Sequence, residues 1–99
     1  MIRGTTPTLE FALPFDAGIL AEAWVTMSQD KKVVLNKELS DCQCEGNVLT
    51  VKLTQEDTLK LKCNCLAEIQ IRARTTDGDA VASEIIAVSP DRILKDGVI

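Results

Sequence analysis

The sequence predicts an all-β domain, an immunoglobulin-like antiparallel β-sandwich of about seven strands, and three observations carry that reading. The first is a period-two stretch in which Ala67, Ile69, Ile71 and Ala73 alternate with Glu68, Gln70, Arg72 and Arg74. Apolar groups at every second residue set one face of a strand in a core and the other in water. The second is the turn Thr76-Asp77-Gly78-Asp79 that closes it, where Asp-Gly supplies the positive φ angles of a two-residue hairpin. The third is repetition, because similar patterns recur along most of the chain with turns at roughly 8–12-residue spacing, the rhythm of a two-sheet sandwich. A small β-barrel is the alternative. The expected helix content is below about a tenth.

The elements follow in order. Thr8 to Leu13 alternates Leu9, Phe11 and Leu13 with polar or small residues, and Pro14 ends the ladder because it lacks an N–H, so this is a first, edge strand. Ile19 to Ser28 forms a second strand with Ala23, Val25 and Met27 on one face and Glu22, Trp24 and Thr26 on the other, and Gln29-Asp30 turns the chain. Lys31 to Lys37 returns with Val33 and Leu35, a less regular stretch spans Glu38 to Cys44, and Glu45-Gly46-Asn47 turns again into Val48 to Leu53. Thr54-Gln55-Glu56-Asp57 reads as a threonine N-cap followed by acidic residues, hence one helical turn crossing between sheets. The last hairpin joins Leu66–Thr75 to Ala80–Ser89. Its apolar set Val81, Ile85, Ile86 and Val88 cannot share one face, so a bulge is expected near Ser83-Glu84. Residues 1–89 form the sandwich and 90–99 a C-terminal tail.

Ninety-nine residues suit one domain, hiding roughly 60–65 % of the unfolded surface. Aromatics are only 3 %, so Val, Ile, Leu and Ala must fill the core. A net charge of −4 repels a phosphate backbone, which argues against nucleic acid as a partner. The opening residues carry no apolar signal core and no stretch approaches the ~20 apolar residues of a membrane span, so the expectation is a soluble protein that stays in the cell that makes it unless it leaves as part of a larger particle. Histidine and tyrosine are absent from the composition, which removes Ser-His and Cys-His nucleophile activation. The neighbouring carboxylates Glu56-Asp57 and Asp77/Asp79 suit a helix N-terminus and a hairpin tip. The expectation is that the chain is not an enzyme and has no catalytic residues.

One constellation could hold a metal: Cys42-Gln43-Cys44 and Cys63-Asn64-Cys65, two C-x-C pairs with an eighteen-residue gap. Four thiolates close a tetrahedral structural zinc site, though the usual knuckle is C-x₂-C. In extended backbone, residues i and i+2 point the same way about 6.6 Å apart, which disfavours a disulfide within a pair. Ordinary thiols, one structural zinc, or disulfides between the pairs formed after release all remain open. Trp24 faces away from Ala23, Val25 and Met27. Burial of this tryptophan would need both faces of its strand covered, whereas exposure would mark a protein interface or a sugar-stacking platform. In the tail, Ile93-Leu94 and Val98-Ile99 are two apolar pairs after Pro90, and they should dock on the protein's own sandwich or on a neighbouring subunit.

Leu53-Thr54-Gln55-Glu56-Asp57-Thr58 is similar to the corner turn of antibody variable domains, but no cysteine precedes Trp24 to complete their signature. More broadly, Ile2-Arg3-Gly4-Thr5-Thr6-Pro7-Thr8, Leu13-Pro14-Phe15-Asp16, Gln29-Asp30-Lys31, the block from Gly46-Asn47 to Thr58, and Asp79-Ala80 to Ile85-Ile86 resemble a group of short prophage and phage proteins of Firmicutes. These are often encoded among tail or baseplate genes. The resemblance implies a virion-associated or assembly protein that acts through protein–protein contacts, with itself or with other virion proteins, and it carries over no catalytic or binding residue. Two other readings stand beside it: a zinc-stabilised intracellular accessory module built on the four cysteines, and a carbohydrate-binding adhesion module.

Overall fold

The computed structural model describes residues 1–99 as two packed antiparallel sheets, with 48 % of residues in strands and 11 % in short helical turns, just above the expected tenth. There are eight strands: β1 (Thr8–Ala12), β2 (Leu20–Gln29), β3 (Lys32–Glu38), β4 (Cys42–Glu45), β5 (Val48–Lys52), β6 (Ala67–Thr75), β7 (Ala80–Ala82) and β8 (Ile86–Val88); one short helix, α1 (Gln55–Leu59), precedes β6. One sheet has the order β1-β5-β4. The other runs β3-β2-β6-β7, with β8 also pairing with β6.

An immunoglobulin constant-type sandwich places its strands A-B-E-D and C-F-G. Here β1, β5 and β4 occupy the B, E and D places, β2, β6 and β7–β8 the C, F and G places, and β3 adds an edge strand. Nothing in the chain pairs with the outer edge of β1. Residues 1–7 run elsewhere, to the end of the sandwich where Ile2 bridges Asp91 and the Arg3 side chain donates to the carbonyls of Leu61 (2.6 Å) and Leu59 (3.0 Å).

The core lies between the sheets and is aliphatic, with Met27, Leu49, Leu53, Leu61, Val25 and Val51 almost fully enclosed. The alternation in β6 does what its sequence requires: Ala67, Ile69, Ile71 and Ala73 are buried and pair across β2 with Gln29, Met27, Val25 and Ala23. Thr54 accepts from the Asp57 amide (3.1 Å) while the Asp57 carboxylate accepts from the Thr54 amide (2.8 Å), a reciprocal cap that satisfies two orphan donors at the start of α1.

Three local expectations are corrected. The β2–β3 turn is Asp30-Lys31, both at positive φ (50° and 63°), and Gln29 belongs to the strand before it. Gln29 is buried because its amide is a clamp: it donates to the carbonyls of Lys62 and Cys65 and accepts from the Lys62 amide, each at 2.9 Å. Val33 is exposed, since the β2–β3 register slips between Met27 and Ser28 and the extra residue, Val34, turns inward in its place. The β6–β7 connection is a three-residue loop. Thr75 pairs with Asp79 through Thr75 N–H to Asp79 O (2.8 Å), and only Gly78 takes a positive φ (90°).

Candidate functional site: the open side of the sandwich

β6 carries two short partners on one edge. The pairing Arg72–Ala82 and Ala73–Val81 gives way to Ile69–Ile86 and Ala67–Val88, a shift of one residue that places the expected bulge at Ser83–Ile85. Ser83 repairs the ladder, because its hydroxyl accepts from the Ile71 amide (3.1 Å) while its own amide donates to Ile71 O (2.9 Å). The bulge restores parity, so Val81, Ile86 and Val88 all share the core-facing side of the sheet with their partners Ala73, Ile69 and Ala67.

Facing the core does not bury them here. Ile86 is still 49 % exposed and Val81 36 %, because the opposing sheet stops at β1. Between the two edges lies a groove of about 470 Å³. One wall is Glu10, Phe11, Ala12, Leu13, Pro14 and Phe15; the other is Ile71, Ala73, Val81, Ala82, Ser83 and Ile86. Nine of these twelve are apolar, and Glu10 is the only charged one. Two strand edges with free backbone groups therefore flank an apolar trough, the arrangement that receives an extended segment.

The residues singled out in the sequence fall elsewhere. Trp24 lies on the outer face of the larger sheet, 39 % exposed, directly between Glu38 of β3 and Arg72 of β6, and it lines a shallow depression with Glu22 and Arg74. No second aromatic shares that face: Phe11 is in the core and Phe15 in the groove, so there is no stacking platform of paired rings.

The four cysteines are free thiols that the fold does not gather. Cys42 and Cys44 pair with Val51 and Leu49 on the edge strand β4, whereas Cys63 and Cys65 sit in the loop between α1 and β6, with Asn64 at a positive φ (59°) in place of the extended backbone expected. The Cys42 thiol contacts Glu38 O (3.4 Å) and the Cys65 thiol Leu66 O (3.9 Å), and no three metal-binding side chains cluster anywhere. Burial pushes the Cys42 thiol up, helped by the neighbouring Cys44 and Asp41 against the pull of Lys37. The two C-x-C pairs thus stand as two separate groups, one on β4 and one in the loop before β6.

In the tail, Ile93 is tucked against its own domain. A Cβ at Gly4 would come within 3.0 Å of Ile93 Cδ1 and 3.4 Å of Leu59 Cδ2. Leu94 (91 %), Val98 and Ile99 remain exposed, although the Gln55 side chain makes two hydrogen bonds with the Ile99 backbone. No helix is long and apolar enough to cross a membrane. Comparison with known protein families, with curated proteins and with solved structures finds no match to this chain.

What defines the molecule is thus an all-β sandwich open along one side. The sequence carried a partial signal for that groove, the parity slip in Val81–Val88, but not the placement of β1 opposite it.

Proposed function

We propose that this chain is a non-enzymatic, phage- or prophage-derived binding module, a small tail or baseplate component that works through contacts with other virion proteins or with copies of itself. The observation that supports this reading best is the apolar groove between the free edges of β1 and β7–β8, where Ile86 and Val81 stand half uncovered on the core side of their sheet. Uncovered core-facing residues beside unpaired strand edges are a surface for protein, since a partner strand satisfies the backbone and covers the side chains together. The resemblance to short proteins encoded among tail and baseplate genes directs the choice of partner. In this reading the chain resides in the cytoplasm of its bacterial host until it enters a particle.

The test is co-expression of the tagged chain with the products of the genes that adjoin its own. Stoichiometric co-purification with a tail or baseplate protein, lost in Ile86→Asp, is the expected result. Binding unaffected by Ile86→Asp and Val81→Asp, or no binding to any virion protein, overturns the reading.

A further inference from the structure

The groove also has a charge pattern. Its one charged lining residue is Glu10, and no lysine or arginine lines it. Arg72 and Arg74, the nearest cations on β6, alternate with buried Ile71 and Ala73 and so face the outer side of the sheet. The lining therefore carries one carboxylate and no cation beside an apolar floor.

Strand geometry makes this pattern specific. On β1, Glu10 points opposite to Leu9 and Phe11, which face the core. A segment added along the free edge of β1 alternates in step with it, so its core-side residues cover Phe11, Val81 and Ile86 while its outward residues stand beside Glu10. From the shape and the charge together, we infer that the groove takes an extended segment of another protein chain in which apolar, β-branched side chains alternate with lysine or arginine, added as a strand beside β1 in the place of the first strand of the sandwich. The inference rests on the groove being the functional surface. It assigns that surface strand addition, with main-chain hydrogen bonds for affinity and the Glu10 position for selection.

The probes are two capped peptides of about ten residues, enough to outrun the five residues of β1, one alternating valine with lysine and the other valine with glutamate. Binding to the full chain is read by fluorescence polarisation. The expected result is that the lysine peptide binds about tenfold or more tighter than the glutamate peptide, that Glu10→Lys reverses the order, and that Ile86→Asp abolishes binding of both. General attraction to an acidic protein would instead rise in Ile86→Asp, which adds a negative charge. Glu10 is exposed, so Glu10→Lys carries the test even if Ile86→Asp disturbs the fold, which circular dichroism reports.

Equal affinity for the two peptides, an unchanged order in Glu10→Lys, or binding that survives Ile86→Asp in a folded chain each overturns the proposal. So does a full chain that self-associates through the groove and admits neither peptide, an outcome that gives the site to a second copy. If the peptides fail while the virion partner still co-purifies, strand addition falls and the wider reading stands. If the peptides bind and no virion protein does, only the phage assignment falls.

Discussion

On one long side of the sandwich, β3 runs through a tight 3-10 turn at Leu39–Asp41 into β4, and Lys37 of β3 reaches Asp57 at the start of α1 over 2.8 Å. On the other side, β1 and β7–β8 face each other across a groove. The first side is joined by chain and by charge, and its edge is short, turned and polar. The second is joined by neither. Val81 and Ile86 face the core side of their sheet and still stand half exposed, because on this side the opposing sheet stops at β1.

Breaking the closed side should have the largest effect. Asp57 is buried with Lys37, both ends of the pair being mostly out of water. Removing one partner strands a charge, so Asp57→Ala should cost about 3 kcal/mol or more in denaturant unfolding. Burial alone would push the Asp57 carboxyl up, but the hydrogen bonds from Lys37 and Thr54 outweigh it and hold the group below its ordinary value. A carboxylate with a depressed folded pKa stabilises the fold fully above its unfolded value of about 3.9, and that contribution is lost as pH falls through the lower folded value. Stability should therefore decline below about pH 4 in the native chain and decline less steeply in Asp57→Asn; parallel profiles would remove Asp57 from the account.

The cysteines test the same edge more finely. Cys42, packed against the core, should cost about 1–2 kcal/mol when changed to Ser, and exposed Cys44 close to nothing. Freshly purified reduced protein should titrate four thiols, with Cys42 the slowest to react. One zinc per chain, with Cys44→Ser or Cys63→Ser costing several kcal/mol, would show that the loop and β4 meet around a metal in solution.

A chain ending at Ser89 should keep its β spectrum and lose about 2–3 kcal/mol, from buried Pro90, the Ile2–Asp91 bridge and the half-covered Ile93. If Leu94, Val98 and Ile99 serve a neighbour, light scattering will show self-association in the full chain and a monomer in the shortened one. Two monomers, or unfolding of the shortened chain, would assign the tail to its own domain. A small stability change should also come from the open side: Ile86→Asp should shift unfolding by less than about 1 kcal/mol, while removing partner binding. A loss as large as that of Asp57→Ala would mean that the two sides are equally structural.

What could be read in the sequence was whatever depends on neighbours along the chain. The burial of Ile69 and Ile71, the cap of Thr54 on Asp57, and the bulge at Ser83–Glu84 follow from period two, from side-chain reach and from parity. What could not be read depends on partners across space. Val33 is polar-side only because β3 slips against β2, and nothing in Lys32-Val33-Val34-Leu35 says which valine yields. The C-x-C pairs share a spacing yet differ in backbone, one on a strand and one bent at Asn64. Trp24 lies outward because no layer covers that face. The groove belongs to the same class, since β1 and β8 are distant in sequence and meet only through the stacking of two sheets.

The pairing of β1 with β5, Thr8 against Lys52 through Ala12 against Val48, has a kinetic consequence. Such a contact joins distant parts of the chain, and closing a long loop is slow compared with forming the β2–β3 and β6–β7 hairpins. By loop length alone, the wall that carries Glu10 and Phe11 should form after the β6–β7 hairpin that carries Val81. A partner of the kind proposed for the groove needs both walls in place, so its binding would report a molecule that has finished folding.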